Sequence, residues 1–222
     1  MSDPLPHESQ ATVQPSTASR RREEIVENAV RLFAERGYAG TDTQLLADEL
    51  RVGKGTLYRY FPSKEELFLA ATDYVMRKLT EHVLSYVEGV SNPFDQIERG
   101  VRAYLVFFAD HPEYVELLIQ ERALFKDRRQ PTYFQHRTRN AQRWRELYRS
   151  LIAAGQARDM PPERISDVVS RLLYGTMFTN YFSQEQPDVE RQTSEIVDMI
   201  LYGILSDSER ERRRSVAECR KG

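Results

Sequence analysis

Apolar residues along the chain recur every three or four positions in nine successive segments, a period that predicts α-helices. The first segment shows the pattern through Ile25, Ala29, Leu32 and Phe33, and Gly37 then supplies a residue suited to ending a helix. No stretch alternates apolar and polar residues for long enough to indicate a β-strand. The fold class predicted by this pattern is all-α.

Prolines and capping residues mark where the predicted helices begin and end. Thr41 or Asp42 can cap the second helix, and Pro62 stops the third. Ser63, with Glu66 three residues later, forms a capping box that opens the fourth. The expected ranges are about 43–50 for helix two, 54–60 for helix three, 63–90 for helix four and 132–157 for helix seven.

Helices two and three are short and joined by about three residues, which is the spacing of a helix-turn-helix. The small side chain of Ala47 allows the two helices to cross closely. An apolar seam can form from Leu46, Leu50, Val52, Leu57 and Phe61. The outward side of helix three then carries Lys54, Gly55, Thr56, Tyr58 and Arg59. Small, hydroxylated and basic residues of this kind can approach phosphates and base edges.

Two strings around this motif are more specific than the spacing alone. They read AERGYAGT at 34–41 and VGKGTLYRYFPSKEEL at 52–67. Over about residues 23–68 the chain resembles the tetracycline-repressor (TetR) family of transcriptional regulators. The resemblance implies an N-terminal three-helix DNA-binding head and a larger C-terminal helical domain for ligand binding and dimerisation. The expected organisation is a disordered arm at 1–17, the DNA-binding domain at 18–64, the ligand and dimerisation domain at 65–206, and a charged flexible tail at 207–222.

The resemblance also implies DNA-binding roles for nine residues. Thr43, Thr56, Tyr58 and Tyr60 are expected at phosphates, Lys54, Gly55 and Arg59 in the major groove, Gln44 at a base, and Lys64 at the DNA backbone. Alternatives stay open, because Gln44 can close a capping box on Thr41 and Tyr60 can pack in the core. The charged residues can equally be solvated surface. The run Arg20–Arg22 can be a DNA-contacting arm or an ordinary solvated cluster.

The turn between helices two and three departs from the family pattern at two positions. Arg51 stands where glycine is usual, and Gly53 stands where serine or threonine is usual. A left-handed backbone at Arg51 would cost about 1 kcal/mol. Gly53 can serve as an N-cap that is weaker than serine by roughly a few tenths of a kcal/mol.

The remaining predicted helices are rich in aromatic side chains. Each one alone is well explained as core, but together they suit an apolar or aromatic ligand in a central cavity. The candidate ligand-binding residues are Tyr104, Phe108, Glu121, Trp144, Tyr148, Tyr174, Met177, Phe178 and Tyr181. The resemblance further implies a homodimer through the last two helices, at about 163–184 and 188–206, whose apolar stripes are wide.

Composition narrows the function classes. With 32 basic and 34 acidic residues the net charge is −2, which disfavours general coating of nucleic acid but leaves room for a local basic surface. The single Cys219 has no disulfide partner, and the four histidines show no metal-binding spacing, so we expect no metal, no cofactor and no enzyme. No apolar run has the length of a signal peptide or membrane span, which predicts a cytoplasmic protein.

These features together predict a sequence-specific DNA-binding transcriptional regulator. We expect a repressor that binds a near-palindromic operator in double-stranded DNA as a dimer and is released by a small apolar or aromatic effector. Two other interpretations remain open: a regulator that needs no ligand, and a helical protein-interaction module. Helix four is the expected link, because it begins at Lys64 and runs into the ligand domain.

Overall fold

A computed structural model describes residues 17–183 and 186–202, and these residues form nine α-helices and no β-strand. The helices are α1 Thr17–Gly40, α2 Thr43–Glu49, α3 Lys54–Tyr60, α4 Lys64–Val87, α5 Pro93–Asp110, α6 Glu113–Leu124, α7 Thr132–Ala153, α8 Pro162–Ser183 and α9 Val189–Leu201. The predicted all-α fold class is confirmed. The expected arm up to residue 16, the expected end of the ninth helix beyond 202 and the expected tail at 207–222 lie outside the described residues.

Two long helices end earlier than their apolar pattern predicts. Helix α4 ends at Val87 rather than near residue 90, and α7 ends at Ala153 rather than near 157. In each case a glycine two residues later, Gly89 or Gly155, adopts a positive φ of 74° or 68°. A left-handed residue directly after the cap stops the helix, because its backbone cannot continue the helical hydrogen bonds.

The described chain divides into two compact units, the first ending at Ala71. The core of the first unit contains the predicted face of α1, where Ile25, Leu32 and Phe33 have no solvent exposure. The ring of Phe33 meets that of Phe68 edge-on, with centroids 5.0 Å apart. This packing joins the first helix to the start of α4 and so supports the short helices between them.

The second unit begins at Thr72 and contains the rest of α4 together with α5 to α9. Helix α5 packs against α8 and α9, while α6 and α7 pack against α8. Polar contacts add to this packing: Arg102 of α5 pairs with Glu190 of α9, and the Tyr181 hydroxyl donates to Glu116 at 2.6 Å. None of the helices within the described ranges is long and apolar enough to cross a membrane.

Candidate functional site

The start of α2 is capped by Asp42, one of the two residues that the sequence offered. Its Oδ1 atom accepts a hydrogen bond of 2.7 Å from the backbone N–H of Leu45. That bond lowers the pKa of the Asp42 carboxyl, and the positive charges of Lys54 and Lys64 act in the same direction. Thr41 is instead buried, so neither the Thr41 cap nor a capping box between Thr41 and Gln44 is formed.

The turn between α2 and α3 contains a left-handed residue that is not glycine. Arg51 has φ 51°, the conformation for which glycine would be better suited. The backbone N–H of Val52 donates to the Ala47 carbonyl at 2.9 Å, and that of Arg51 donates to Asp48 at 3.0 Å. These two bonds form a Schellman motif, which satisfies the last carbonyls of α2 and holds Arg51 in its strained conformation. Gly53 then caps α3 without a side-chain hydrogen bond.

The two short helices cross over the predicted apolar seam. Leu46, Ala47 and Leu57 are almost fully buried, and Leu50 and Phe61 are also buried. Val52 is only half-buried, because it lies in the turn itself. This burial fixes which side of α3 faces outward.

The outward side of α2 and α3 presents the residues for which DNA contacts were predicted. Exposed members are Gln44, Lys54, Gly55, Tyr58 and Arg59, and half-buried members are Thr43, Thr56, Tyr60 and Lys64. Two of them, Thr43 and Tyr58, share a hydrogen bond of 3.1 Å between their hydroxyl oxygens. The pair joins α2 to α3 on the exposed surface, where both hydroxyls can contact the same phosphate.

Several of these side chains already have partners in the unbound protein. Gln44 donates from Nε2 to Asp48 at 2.8 Å, so it must exchange this bond to reach a base. The Lys64 ammonium lies 4.2 Å from the centre of the Tyr38 ring, and the Arg59 guanidinium lies 5.4 Å from the Tyr60 ring. Such cation–π contacts orient both cations without neutralising their charge.

The cluster Arg20–Arg22 lies within α1 rather than in an extended arm. Arg21 donates to the carbonyl of Leu50 at 3.2 Å, close to the turn between the short helices. The Arg22 guanidinium lies 4.7 Å from the centre of the Phe61 ring. These two arginines therefore brace the helix-turn-helix, while Arg20 is exposed.

A cavity of about 500 Å³ in the second unit is the candidate ligand site. Its walls come from α4, α5, α7 and α8 and are mostly apolar, with Met76, Leu79, Ile97, Val101 and Leu173 among them. A volume of this size is typical of sites for drug-sized molecules. Three of the predicted ligand residues, Tyr104, Trp144 and Tyr148, line it.

Six predicted ligand residues lie elsewhere: Phe108, Glu121, Tyr174, Met177, Phe178 and Tyr181 do not line this cavity. Met177 lies behind the cavity wall, where its sulfur accepts a hydrogen bond of 3.5 Å from the Tyr104 hydroxyl. Phe108 packs against Tyr104, with centroids 5.1 Å apart. Phe178 packs on the ring of Tyr174, which lines a separate hollow together with Glu121.

Glu121 makes its polar contacts with other residues of the protein. Its side chain is 2% exposed, it forms an ion pair with Arg128, and its Oε1 accepts hydrogen bonds from the backbone N–H and the hydroxyl of Thr132, at 2.9 and 2.8 Å. These contacts hold the start of α7 against α6. They account for Oε1 only, because Oε2 of Glu121 is buried without a hydrogen-bond partner among the described residues.

The polar residues of the cavity were missed by the sequence analysis. They include Thr80, Arg137, Asn140, Ser166 and Ser170. Arg137 stands four residues after Tyr133 and seven before Trp144, so all three share one face of α7. That spacing could have identified Arg137, whereas the serines and Thr80 carry no pattern of their own.

Helices α4 and α7 are joined by hydrogen bonds at and near the cavity wall. Asn140 donates from Nδ2 to the Thr80 hydroxyl at 2.8 Å, and both residues line the cavity. Asp73 lies nearer the start of α4, and its Oδ1 atom is 2.7 Å from Nε2 of the His136 ring on α7. A molecule in the cavity would therefore lie beside the Asn140–Thr80 hydrogen bond that joins α7 to α4.

Gly100 allows the cavity wall to form, and its replacement by alanine should displace Trp144. An added Cβ would lie 2.4 Å from the Cη2 atom of the Trp144 ring, well inside van der Waals contact. We expect Gly100→Ala to lower the free energy of unfolding by about 1–3 kcal/mol and to shift the emission of Trp144, the only tryptophan. Denaturation and fluorescence measure both effects. Gly40→Ala is the control, because its Cβ would meet only Arg36 at an ordinary 3.6 Å, and unchanged emission in Gly100→Ala would contradict this packing.

The exposed side of α3 carries basic and hydroxylated side chains, and α3 is the second helix of a helix-turn-helix. These two features define the class of protein, which is a DNA-binding protein. Comparison with known proteins agrees, because residues 25–71 match the family described as bacterial regulatory proteins, tetR family. Residues 25–71 therefore carry the DNA-binding head of the TetR family, and relatives that match beyond this head include proteins described as transcriptional regulators.

Relatives and solved structures extend the likeness beyond the head. The HTH-type transcriptional regulator YerO of Bacillus subtilis is 25% identical over 82% of this chain and 64% of its own length. The fatty acid degradation regulator FadR of Bacillus halodurans has a TM-score of 0.71 at 14% identity, over 86% of this chain and 98% of that one. AibR, solved with isovaleryl coenzyme A and operator DNA, has a TM-score of 0.60 at 23% identity, over 82% and 98%. At these identities the two structures show the fold alone.

Proposed function

We propose that this regulator is a dimeric repressor that binds a near-palindromic operator and leaves it when a small apolar or aromatic molecule fills the cavity. In this proposal residues 18–64 bind DNA, and residues 65–206 hold the ligand and the dimer interface. The observation that carries it is the outward side of α2 and α3, where Lys54, Arg59 and the hydroxyl pair of Thr43 and Tyr58 lie together. Apart from the ring of Tyr58, the exposed members of that surface are small, polar or basic, so it suits a charged groove better than a protein partner.

Each residue of that surface has a role in the proposed complex. Lys54, Gly55 and Arg59 face the major groove, and Gln44 reaches a base after leaving Asp48. The phosphate contacts come from Thr43, Thr56, Tyr58 and Tyr60, with Lys64 on the DNA backbone. Because these contacts displace counterions, affinity should fall steeply with salt.

The exposed side of α8 supports the proposed homodimer. Val168, Leu172, Gly175, Thr179 and Phe182 follow one helical face at spacings of 4, 3, 4 and 3 residues, and all five are exposed. The large apolar side chains of Met199 on α9 and of Tyr202, which follows the last residue of α9, are exposed too. Adjacent apolar faces of this kind indicate an interface, and a second copy of the chain would cover them with the same surface. A twofold dimer then presents two copies of α3 to successive major grooves.

Ligand release is supported by the way the cavity meets α4. This helix runs unbroken from Lys64, beside the DNA-contacting residues in sequence, to Val87 in the second unit. A ligand that exchanges the Asn140–Thr80 hydrogen bond, or separates α7 from α4, would favour another position of α4. Only a difference in affinity between the two positions can shift the equilibrium between DNA-bound and free protein. The neighbour AibR was solved in complex with isovaleryl coenzyme A and operator DNA, so one protein of this fold binds both an acyl ligand and DNA.

The Arg59→Ala variant should lower operator affinity about ten- to a hundredfold without unfolding the protein, because one good base contact contributes about 1–3 kcal/mol. The measurement is fluorescence anisotropy of the purified protein with its own upstream intergenic DNA and a scrambled duplex, at two salt concentrations. Lys64→Ala should weaken binding to both duplexes equally and reduce the dependence of affinity on salt concentration. Arg36→Ala is the matched control, since Arg36 is exposed on α1 and outside the helix-turn-helix.

Two results would redirect the proposal. If wild type binds operator and scrambled DNA equally weakly at moderate salt, the protein-interaction module is favoured instead. If wild type binds selectively but no small molecule changes the affinity, the chain is a regulator that needs no ligand. Unchanged affinity in both Arg59→Ala and Lys64→Ala would contradict the residue assignment itself.

A further inference from the structure

The charged side chains of the cavity wall are unevenly distributed. Three arginines of α7 line it, Arg137, Arg139 and Arg143, against one carboxylate, that of Glu146. Arg139 and Arg143 are exposed and pair with no carboxylate of the described residues. The cavity therefore combines apolar walls with an excess of positive charge along α7.

Arg137 is the arginine best placed to act on a ligand. Its Nη2 atom lies 2.6 Å from Oδ1 of Asp167 on α8, and the two side chains are 27% and 43% exposed. Arg137 lines the cavity but Asp167 does not, so a rotation of the Arg137 side chain can exchange Asp167 for a ligand. Because Asp167 is half-exposed, it can regain water if another anion takes its place.

Two buried hydroxyls lie on the same part of the wall. The hydroxyl oxygens of Tyr104 and Tyr133 are 3.0 Å apart, and that of Tyr104 also contacts the Met177 sulfur. Burial raises the pKa of Tyr133 to about 12, although the hydrogen bond between Tyr133 and Tyr104 and the charge of Arg137 act in the opposite direction. Both phenols are therefore neutral donors at pH 7. A thioether is a weak acceptor, so the Tyr104 proton is available to a stronger one.

We propose that the effector is an apolar acyl or aryl-alkyl molecule with an anionic head, and that Arg137 binds this head in exchange for Asp167. The inference rests on the proposed function and names the chemistry of its ligand. A cation in the cavity would be repelled by the arginines, and a neutral head would leave the guanidinium with Asp167. An anion gains a charge-assisted, two-pronged hydrogen bond from Arg137 and a hydroxyl donor from Tyr104 or Tyr133.

The anionic head can come from two sources with the same chemistry. One is the carboxylate of a free acid, which fits entirely within the cavity. The other is the phosphate of an acyl thioester such as an acyl coenzyme A, whose larger head would extend to Arg139 and Arg143 at the exposed end. In both cases the apolar part lies against Met76, Ile97 and the ring of Trp144.

Direct titration with matched ligands tests this assignment, with the emission of Trp144 as the readout. The probes are octanoate, 4-phenylbutanoate, the amide of each, and octanoyl coenzyme A. At least one anion should bind wild type about tenfold or more tightly than its amide. For free acids, Arg137→Gln should remove that preference, and Asp167→Asn should tighten binding because the competing carboxylate is lost. Arg149→Gln, an exposed arginine of α7 outside the cavity, should change nothing.

The two sources give different results. If the free acids bind and depend on Arg137, the effector is a carboxylate. If only octanoyl coenzyme A binds, and a double Arg139→Gln, Arg143→Gln variant weakens it tenfold or more, the phosphate source is supported. Unfolding temperatures of every variant show whether a loss of binding reflects loss of the fold.

Three results would overturn the assignment: equal affinity for acids and amides, an anion preference unchanged by these arginine substitutions, or no binding of any probe at millimolar concentration. Operator binding by the ligand-free wild type is measured in parallel. If the wild type binds DNA selectively and any of these three results is obtained, the anionic effector is disproved but the proposed function is not. Absence of selective DNA binding disproves the proposed function, whichever ligand binds.

Discussion

Replacing Gly55 with glutamate should reduce operator affinity on the order of a hundredfold or more while leaving the free energy of unfolding unchanged or slightly higher. A Cβ at this position would meet no atom of the protein within 4 Å, so the new side chain points into open space. Glutamate is also a better helix former than glycine, and it lies in the first turn of α3, where a negative charge is favourable. In the proposed complex the same carboxylate faces the DNA, and juxtaposed like charges cost several kcal/mol.

The anisotropy titration used for Arg59→Ala measures the effect, with chemical denaturation as the test of the fold. Gly55→Ala is the matched control, because it adds the same Cβ without charge and should weaken binding far less. If Gly55→Glu binds the operator as tightly as wild type, α3 does not enter the groove through this residue. If both variants unfold more easily, Gly55 has a structural role that the open space around it does not predict.

The Gly175→Glu variant should convert the dimer to a monomer and reduce operator affinity by a similar or larger factor. Gly175 lies in the middle of the exposed stripe of α8, and an added Cβ would meet nothing within 4 Å in one copy of the chain. The substitution should therefore stabilise the isolated helix by about 0.5–1 kcal/mol. In a dimer that packs α8 closely against its partner, two buried and unpaired carboxylates would meet near the twofold axis.

Sedimentation at several protein concentrations measures the dimer, and anisotropy measures the consequence for DNA binding. Gly175→Ala provides the control, since a methyl group should be tolerated or cost little. Loss of operator affinity without loss of the dimer would contradict the stripe as the interface. If Gly175→Glu remains a dimer, the interface lies at the exposed apolar residues of α9 or elsewhere and not at the stripe of α8.

The helix-turn-helix could be predicted closely because its determinants are local. Helix α3 has the predicted bounds of 54–60, and the turn before it forms even though Arg51 stands at a left-handed position where glycine is usual. The cap of α2 was undecided between Thr41 and Asp42, and only the packed structure decides it. The Thr41 hydroxyl donates to the carbonyls of Leu32 and Gly37, at 3.1 and 2.9 Å. It therefore stabilises the end of α1 and does not cap α2.

The ends of α4 and α7 were predicted a few residues too far along the chain, although the sequence held the information. Gly89 and Gly155 each stand where a helix can close with a left-handed residue. After α7, Gly155 donates to the Ile152 carbonyl at 3.0 Å and Gln156 donates to Leu151 at 2.9 Å, which completes a Schellman motif.

What the sequence determined by itself is the set of helices, the turn of the helix-turn-helix and the chemistry of its outward side. These depend on residue periods and caps that act over one or two turns. Only the tertiary structure decided which aromatic side chains line a cavity and which fill the core. Tyr104 and Trp144 line the cavity while Phe108 and Phe178 pack against other rings, because α5, α7 and α8 meet at distances set by contacts far apart in the chain. The same long-range packing brought Arg137 of α7 against Asp167 of α8, whereas its spacing from Tyr133 and Trp144 indicates only which face of α7 it occupies.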